Sequence, residues 1–398
     1  MAPPWIAWSS ISGNPRSGGR PSVIRPLPVG ITKVTASTSS TIASCVPCSA
    51  VSNPRVDQAV RLPAEWERQA AVLFTWPRPD GDWGDAIAEA EQAMLALAAT
   101  ASRYQPVIIT VPGAAAATTL PDRIAAAGGR AENIHCHVAP ADDVWARDHG
   151  PITVLEPDGE RRLLDFTFNG WGGKHAAAAD NALTARLHHG NAFGAADYRA
   201  LDIVLEGGAI DTDGAGTLLT TSQCLLHPGR NPGRDRAWYE AMFARELNIH
   251  RVLWLDHGWL VGDDTDGHVD MLARFVDGST IAYTVCDDPD DPHYRPLQDM
   301  AEELGRLRDR DGAPYRLVPL PWPAPVTSVD GRRLPATYAN FLILNDALLV
   351  PAYGIPQDEQ ARALLADLFP AREAISLDAR VLIGQGGALH CAAMQIPG

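Results

Sequence analysis

The stretch His268-Val-Asp-Met-Leu-Ala-Arg-Phe-Val-Asp-Gly-Ser-Thr-Ile-Ala-Tyr-Thr-Val285 reads as two strands, 268–276 and 280–285, joined by the turn Asp277-Gly278. An Asp-Gly pair between apolar runs favours a hairpin, because both residues accept the positive φ that tight hairpin turns require. The theme recurs on either side. Segments 152–155 and 162–168 flank Asp158-Gly159, 203–210 and 217–221 flank Asp213-Gly214, and 338–344 and 348–351 flank Asn345-Asp346. A helical stretch follows each hairpin, near 181–188, 235–247, 293–308 and 358–369, and leads to a further strand.

The repeated unit is therefore ββαβ, and the chain is α/β. The turn aspartates 158, 213 and 277 lie 55 and then 64 residues apart, an irregular period. A fifth hairpin, 380–396, arrives with no helix after it. The helix expected at 83–102 places Ile87, Ala90, Met94, Leu97 and Ala98 on one face and could complete that unit, closing the repeats into a ring. An ordinary α+β sheet is the competing reading.

With 398 residues, 46% hydrophobic and 20% charged, the chain can bury a sizeable core. No apolar window is long enough for a membrane-spanning helix, and the N-terminus lacks a secretory pattern, so a soluble, cytoplasmic protein with no membrane partner is expected. Residues 1–56 hold Arg16, Arg20, Arg25, Lys33 and Arg55 and no acid, and read as a disordered or miscalled N-terminal extension. Residues 57–398 read as one catalytic domain. Without those five basic residues the chain has 28 basic against 48 acidic residues, net −20, which argues against nucleic acid and for a small cationic ligand.

Six cysteines, at 45, 48, 136, 224, 286 and 391, show no disulfide framework. Cys45-Val-Pro-Cys48 lies in a Ser/Thr/Pro-rich segment with neither strand nor helix beside it, which suits neither redox nor zinc chemistry. Cys391 differs. It ends the glycine-rich Gly384-Gln-Gly-Gly-Ala-Leu-His-Cys391 inside a strand-like run and is a candidate nucleophile. Adjacent strand residues face opposite ways, so His390 is not its base.

Read as a strand, 266–272 turns His268 and Asp270 to one face, as a proton-transfer pair or a metal pair. Calcium fails, because an EF-hand loop with Gly267 sixth would begin at Gly262 and end at Ala273. Zinc lacks a third ligand at helical or hairpin spacing, so no metal is expected. Asp148, in Trp145-Ala-Arg-Asp-His-Gly-Pro151, is either a turn cap or a functional carboxylate at a strand mouth. Glu206, before Gly207-Gly208, is either a paired buried acid or a turn residue, and its glycines allow close approach to the backbone. Carboxylates around a thiolate raise its pKa, which is counterproductive unless the substrate is itself a cation. A guanidinium is one, and paired carboxylates hold it with bidentate hydrogen bonds.

The motifs Leu62-Pro-Ala-Glu-Trp-Glu67, Trp76-Pro77, Trp145-Ala-Arg-Asp-His-Gly-Pro151, Phe168-Asn-Gly-Trp-Gly-Gly-Lys174, Glu206-Gly-Gly208, Leu218-Leu-Thr-Thr-Ser-Gln-Cys-Leu225, Asn231-Pro232, Gly267-His-Val-Asp270, Tyr338-Ala-Asn-Phe341 and His390-Cys391 together resemble the agmatine deiminase family of the peptidylarginine-deiminase-like, guanidine-modifying superfamily. The resemblance implies a five-bladed, pseudo-fivefold α/β propeller, the pentein fold, with the active site on its axis. It implies Cys391 as nucleophile, His268 as general acid and base, and Asp148 and Asp270 as the guanidinium clamp. It sets Glu206 against the same site and Trp145 over the substrate's methylene chain. The implied reaction converts agmatine to N-carbamoylputrescine and ammonia through an amidino-cysteine, with no cofactor. The resemblance is compatible with a homo-oligomer. Asp266 and Ala388 depart from the family's usual asparagines. Arginine or peptidylarginine deimination, amidino transfer to an amine, and non-catalytic binding of arginine-like ligands are the other readings.

Overall fold

The computed structural model describes residues 60–398. The extension 1–56 and Cys45-Val-Pro-Cys48 lie outside the described residues. The first sheet begins with β1 (Gln69–Thr75), whose helix Ile87–Ser102 leads to the parallel β2 (Val107–Val111), and helix Ala114–Ala126 leads to a further parallel strand, β3 (Ile134–Val138). Ala90, Met94, Leu97 and Ala98 of the first helix are buried against this sheet, as their spacing predicts.

Four three-stranded sheets follow. They are β4 (Ile152–Leu155), β5 (Arg161–Thr167) and β6 (Asp197–Val204); β7 (Ile210–Thr212), β8 (Thr217–Thr221) and β9 (Arg251–Leu255); β10 (Ala273–Asp277), β11 (Thr280–Thr284) and β12 (Arg316–Leu320); and β13 (Leu342–Ile343), β14 (Ala347–Ala352) and β15 (Glu373–Asp378). In each, the first strand is antiparallel to the second and the second parallel to the third. A helix makes each parallel crossover: Leu183–His189, Arg236–Leu247, Tyr294–Arg306 and Gln357–Leu368. Asp235 starts one of them by accepting the Trp238 N–H at 2.9 Å. Middle strands β8 and β14 are buried almost throughout, as strands covered on both faces must be.

The last strand, β16 (Ala393–Pro397), pairs antiparallel with β1. This supplies the fifth ββαβ unit and the expected helix, so the five sheets are the five blades of an α/β propeller. First strands of neighbouring blades touch, β16 against β4 and β7 against β10, which sets them around the centre.

Three sequence expectations change. The hairpin at 380–396 does not exist within that segment: Arg380–Ile383 is a short helix, a loop that includes His390 and Cys391 follows in place of the expected strand, and β16 pairs with β1, from Phe74 with Ala393 to Gln69 with Pro397. The strand expected at 203–210 is two elements, the end of β6 and the start of β7, separated by Glu206 and a short turn. Residues 268–272 are not strand. Asp266 (φ +64°) and Gly267 (φ +83°) take left-handed conformations and Val269–Met271 forms a 3-10 turn, so β10 starts only at Ala273.

The turn Asp213-Gly214 shows why glycine is required. Gly214 has φ +71°, and a Cβ there would lie 2.7 Å from the Ala64 nitrogen and 2.6 Å from Glu67 Oε1. Gly214→Ala should destabilise the fold by about 1–3 kcal/mol, read as a lower denaturation midpoint at unchanged m-value. A midpoint equal to the parent's would refute this packing.

Candidate active site

Every blade brings a polar group to the centre just before its first strand. Asp148 precedes β4, Glu206 precedes β7, His268 and Asp270 precede β10, Asn340 precedes β13 and Cys391 precedes β16. The pentein-like ring thus converts residues scattered over 240 positions of sequence into one cluster.

Asp148 sits in the helical turn Ala146–His149, which Gly150 closes by donating to the Ala146 carbonyl, with Pro151 after it. Its Oδ1 accepts the Gly208 N–H at 3.0 Å, and its Oδ2 accepts the Trp171 indole N–H at 2.9 Å. The His268 ring lies 3.6 Å from the same carboxylate. Both ring nitrogens of His268, which is fully buried, lack a hydrogen-bond partner, as does Asp270 Oδ1. The other oxygen, Asp270 Oδ2, faces His390 Nδ1 at 2.7 Å, Asn340 Nδ2 at 3.2 Å and the Cys391 sulfur at 3.6 Å. Asn340 also donates to that sulfur at 3.1 Å.

Burial raises the Cys391 thiol well above its ordinary pKa, and the Asp270 and Asp148 carboxylates add to the rise. Burial lowers His268, but Asp148, Cys224 and Glu206 outweigh it and push the imidazole up to about 10. Burial also raises Asp148, reinforced by Asp270 and opposed by His268. Asp270 goes the other way: burial raises it, yet the hydrogen bond and charge of His390 hold it below the usual carboxylate range. The pocket therefore keeps a neutral thiol, a charged imidazole and a carboxylate together, away from water.

Cys391, His268, Asp148, Asp270 and Glu206 lie in one buried cluster. Glu206 accepts the Arg230 Nε with both oxygens, at 2.9 and 3.1 Å, and both side chains are fully buried. Trp145 is placed in the wall: it is buried, donates to Asp143 at 2.9 Å, and presses on Gly387, where a Cβ would meet its ring at 2.4 Å. It thereby holds the loop that carries Cys391. Asp266 bridges Arg230 at 2.7 Å and Lys174 at 2.9 Å, and Ala388 is buried in the Cys391 loop.

A metal would find ligand atoms of Glu206, Cys224 and His268 within 4.8 Å of one another, a set that hairpin or helical spacing could not reveal. Both Glu206 oxygens, however, already face the Arg230 guanidinium, so the donor set is spoken for by a resident cation.

Sequence reading missed Asn340, Trp171 and the partners of His390. Asn340 carries a signal: it stands two residues before β13, as Cys391 stands two before β16. Trp171 carries none, because its role depends on a left-handed φ of +55° inside Gly170-Trp-Gly-Gly173. Among the described residues, no helix is long and apolar enough to cross a membrane.

A family model described as Porphyromonas-type peptidyl-arginine deiminase matches residues 61–397. The agmatine deiminase of Stutzerimonas stutzeri is 34% identical over 371 residues, covering 87% of this chain and 97% of its own length. That of Pseudomonas aeruginosa is 33% identical with the same coverage. Among solved structures, a Cys-to-Ser variant of C. jejuni agmatine deiminase with substrate bound superposes with a TM-score of 0.78 at 34% identity, over 85% of this chain and 97% of that one. A Porphyromonas gingivalis chain provisionally described as an arginine deiminase gives 0.78 at 45% identity, over 85% and 98%.

Proposed function

This chain belongs to the Porphyromonas-type peptidyl-arginine deiminase family, and on that footing we propose that it hydrolyses agmatine to N-carbamoylputrescine and ammonia in the cytoplasm, feeding putrescine synthesis. One observation carries the reading: two buried carboxylates, Asp148 and Asp270, flank a buried imidazole and the Cys391 sulfur, with Asp270 Oδ1 and both His268 nitrogens unpartnered. A buried acceptor without a partner is costly, and a guanidinium supplies the planar donors that Asp270 Oδ1 needs. Burial holds the Cys391 thiol neutral and the carboxylates reinforce it; the guanidinium charge offsets the carboxylates' share, so the substrate helps to activate its own nucleophile.

Catalysis proceeds in two stages. Cys391 sulfur bonds to the guanidinium carbon while one C–N bond breaks; the departing nitrogen takes the thiol's proton and one from His268 and leaves as ammonium. An amidino-cysteine cation remains, fixed by Asp148 and Asp270. Neutral His268 then takes a proton from water, whose oxygen adds to the same carbon, and the C–S bond breaks with the second water proton returning to sulfur. All protons circulate between Cys391, His268 and the reactants, so no cofactor is required. Glu206 with Arg230, and Trp145 behind Gly387, support the walls of this site.

Agmatine is preferred because curated relatives matching over nearly their whole length bear that name. The P. gingivalis likeness favours arginine as a second substrate. Incubation with agmatine, arginine and an arginyl peptide, with ammonia and ureido product measured, decides between them. Agmatine should turn over fastest; turnover of arginine or peptide alone would reassign the substrate, and silence on all three would refute deimination.

A further inference from the structure

His390 and Cys391 lie in a turn, so strand alternation does not separate them; carboxylates occupy both ring nitrogens of His390, which removes it as the base. Its Nδ1 faces Asp270 Oδ2 at 2.7 Å and its Nε2 faces Glu65 Oε2 at 2.8 Å. Two carboxylates are both satisfied only if both ring nitrogens donate, so the ring carries both hydrogens. Glu65 is itself fixed: Oε2 also accepts Arg274 at 2.6 Å, Oε1 accepts the Ile343 N–H at 3.1 Å, and Arg147 lies 4.0 Å away. The backbone holds His390 too, because its N–H donates to Asn340 Oδ1 at 3.0 Å and its carbonyl accepts Arg147 Nε at 3.3 Å.

We propose that His390 is a positioning residue that pins Oδ2 of Asp270, anchored from behind by Glu65, so that Oδ1 is presented to the substrate guanidinium as a charged, fixed acceptor. This inference rests on the deimination reading. Asp270 would otherwise be a fully buried carboxylate rotating beside a thiol, and a buried acid in that position neutralises itself by taking up a proton. The charged groups around His390 are Asp270 from the turn before β10, Glu65 from the segment before β1, Arg147 from the turn before β4, Arg274 from β10 and Asp211 from β7.

The relay has its own opening. A pocket lined by Leu62, Glu65, Arg147, Thr153, His390 and Gln395 includes none of Cys391, His268, Asp148 or Asp270. The space left by His390→Ala would therefore adjoin this pocket, apart from the side chains that face the substrate.

The test compares the parent with His390→Gln, which keeps an amide donor, and His390→Ala, which leaves a hole open to that pocket. Parent turnover of agmatine, arginine or arginyl peptide judges the function; the variant-to-parent ratio on the substrate used judges His390. His390→Ala should lose about 100-fold or more in kcat/KM. In His390→Gln the acidic limb of the kcat/KM profile should move up by roughly one pH unit, because Asp270 protonates more readily without its cation. Imidazole should restore His390→Ala at least about tenfold without competing with substrate. Activity within about threefold of the parent with an unmoved limb would overturn the proposal. So would a loss that imidazole does not restore and that leaves the limb in place, since that is the signature of packing damage alone.

Discussion

Cys391→Ala is expected to lower agmatine turnover by about 10⁴-fold or more while agmatine still binds. The substitution removes the sulfur proposed to form the covalent intermediate, and it leaves Asp148, Asp270 and His268 in place beside the vacated position. Removing one buried sulfur should cost about 1 kcal/mol of stability, too little to unfold the chain. Single-turnover ammonia release and calorimetric titration with agmatine check the two halves separately. Residual turnover above about 1% of the parent rate would exclude Cys391 as nucleophile.

The second large effect comes from a residue with no chemistry. A Cβ added to Gly208 would stand 2.5 Å from His268 Nδ1, 2.9 Å from Asp148 Oδ1 and 3.2 Å from Asp270 Oδ2. Gly208→Ala thus puts a methyl group among the three polar groups that must converge on the guanidinium. Displacement of such groups by even 1 Å costs about 100-fold, so kcat/KM should fall at least that far, with about 1–3 kcal/mol of overpacking visible in the melting curve. Gly278→Ala is the matched control, because nothing lies within 4 Å of its Cβ. Equal activity of the two variants would mean that the cluster is looser than its distances indicate.

Much of this was legible in the chain. Asp158-Gly159, Asp213-Gly214 and Asp277-Gly278 mark hairpins because turn chemistry is local, and the helices between them follow from apolar spacing. The fifth blade was misread inside 380–396 because strand pairing is non-local: nothing in β16 names β1 as its partner. His268 and Asp270 share one side of the chain, but not as members of a strand. A period-two strand and a 3-10 turn both bring them to one site, and only the left-handed Asp266 and Gly267 distinguish the two. Asn340, Trp171 and the Glu65–His390–Asp270 chain depend on side-chain direction across blades, which no single segment encodes.

The pairing of β16 with β1 also has a kinetic meaning. It joins residues 69–75 to 393–397, so β1, β2 and β3 can pair locally while β16 completes their blade through a contact that spans nearly all of the described chain. Contacts this distant in sequence are late events, since the closing loop's entropy must be met before the pairing stabilises anything. Cys391 stands two residues before β16, so its side chain is expected to reach the centre when this long-range pairing forms. Partly folded chains without it would hold an inert centre, and during refolding the return of turnover should trail the return of tryptophan fluorescence.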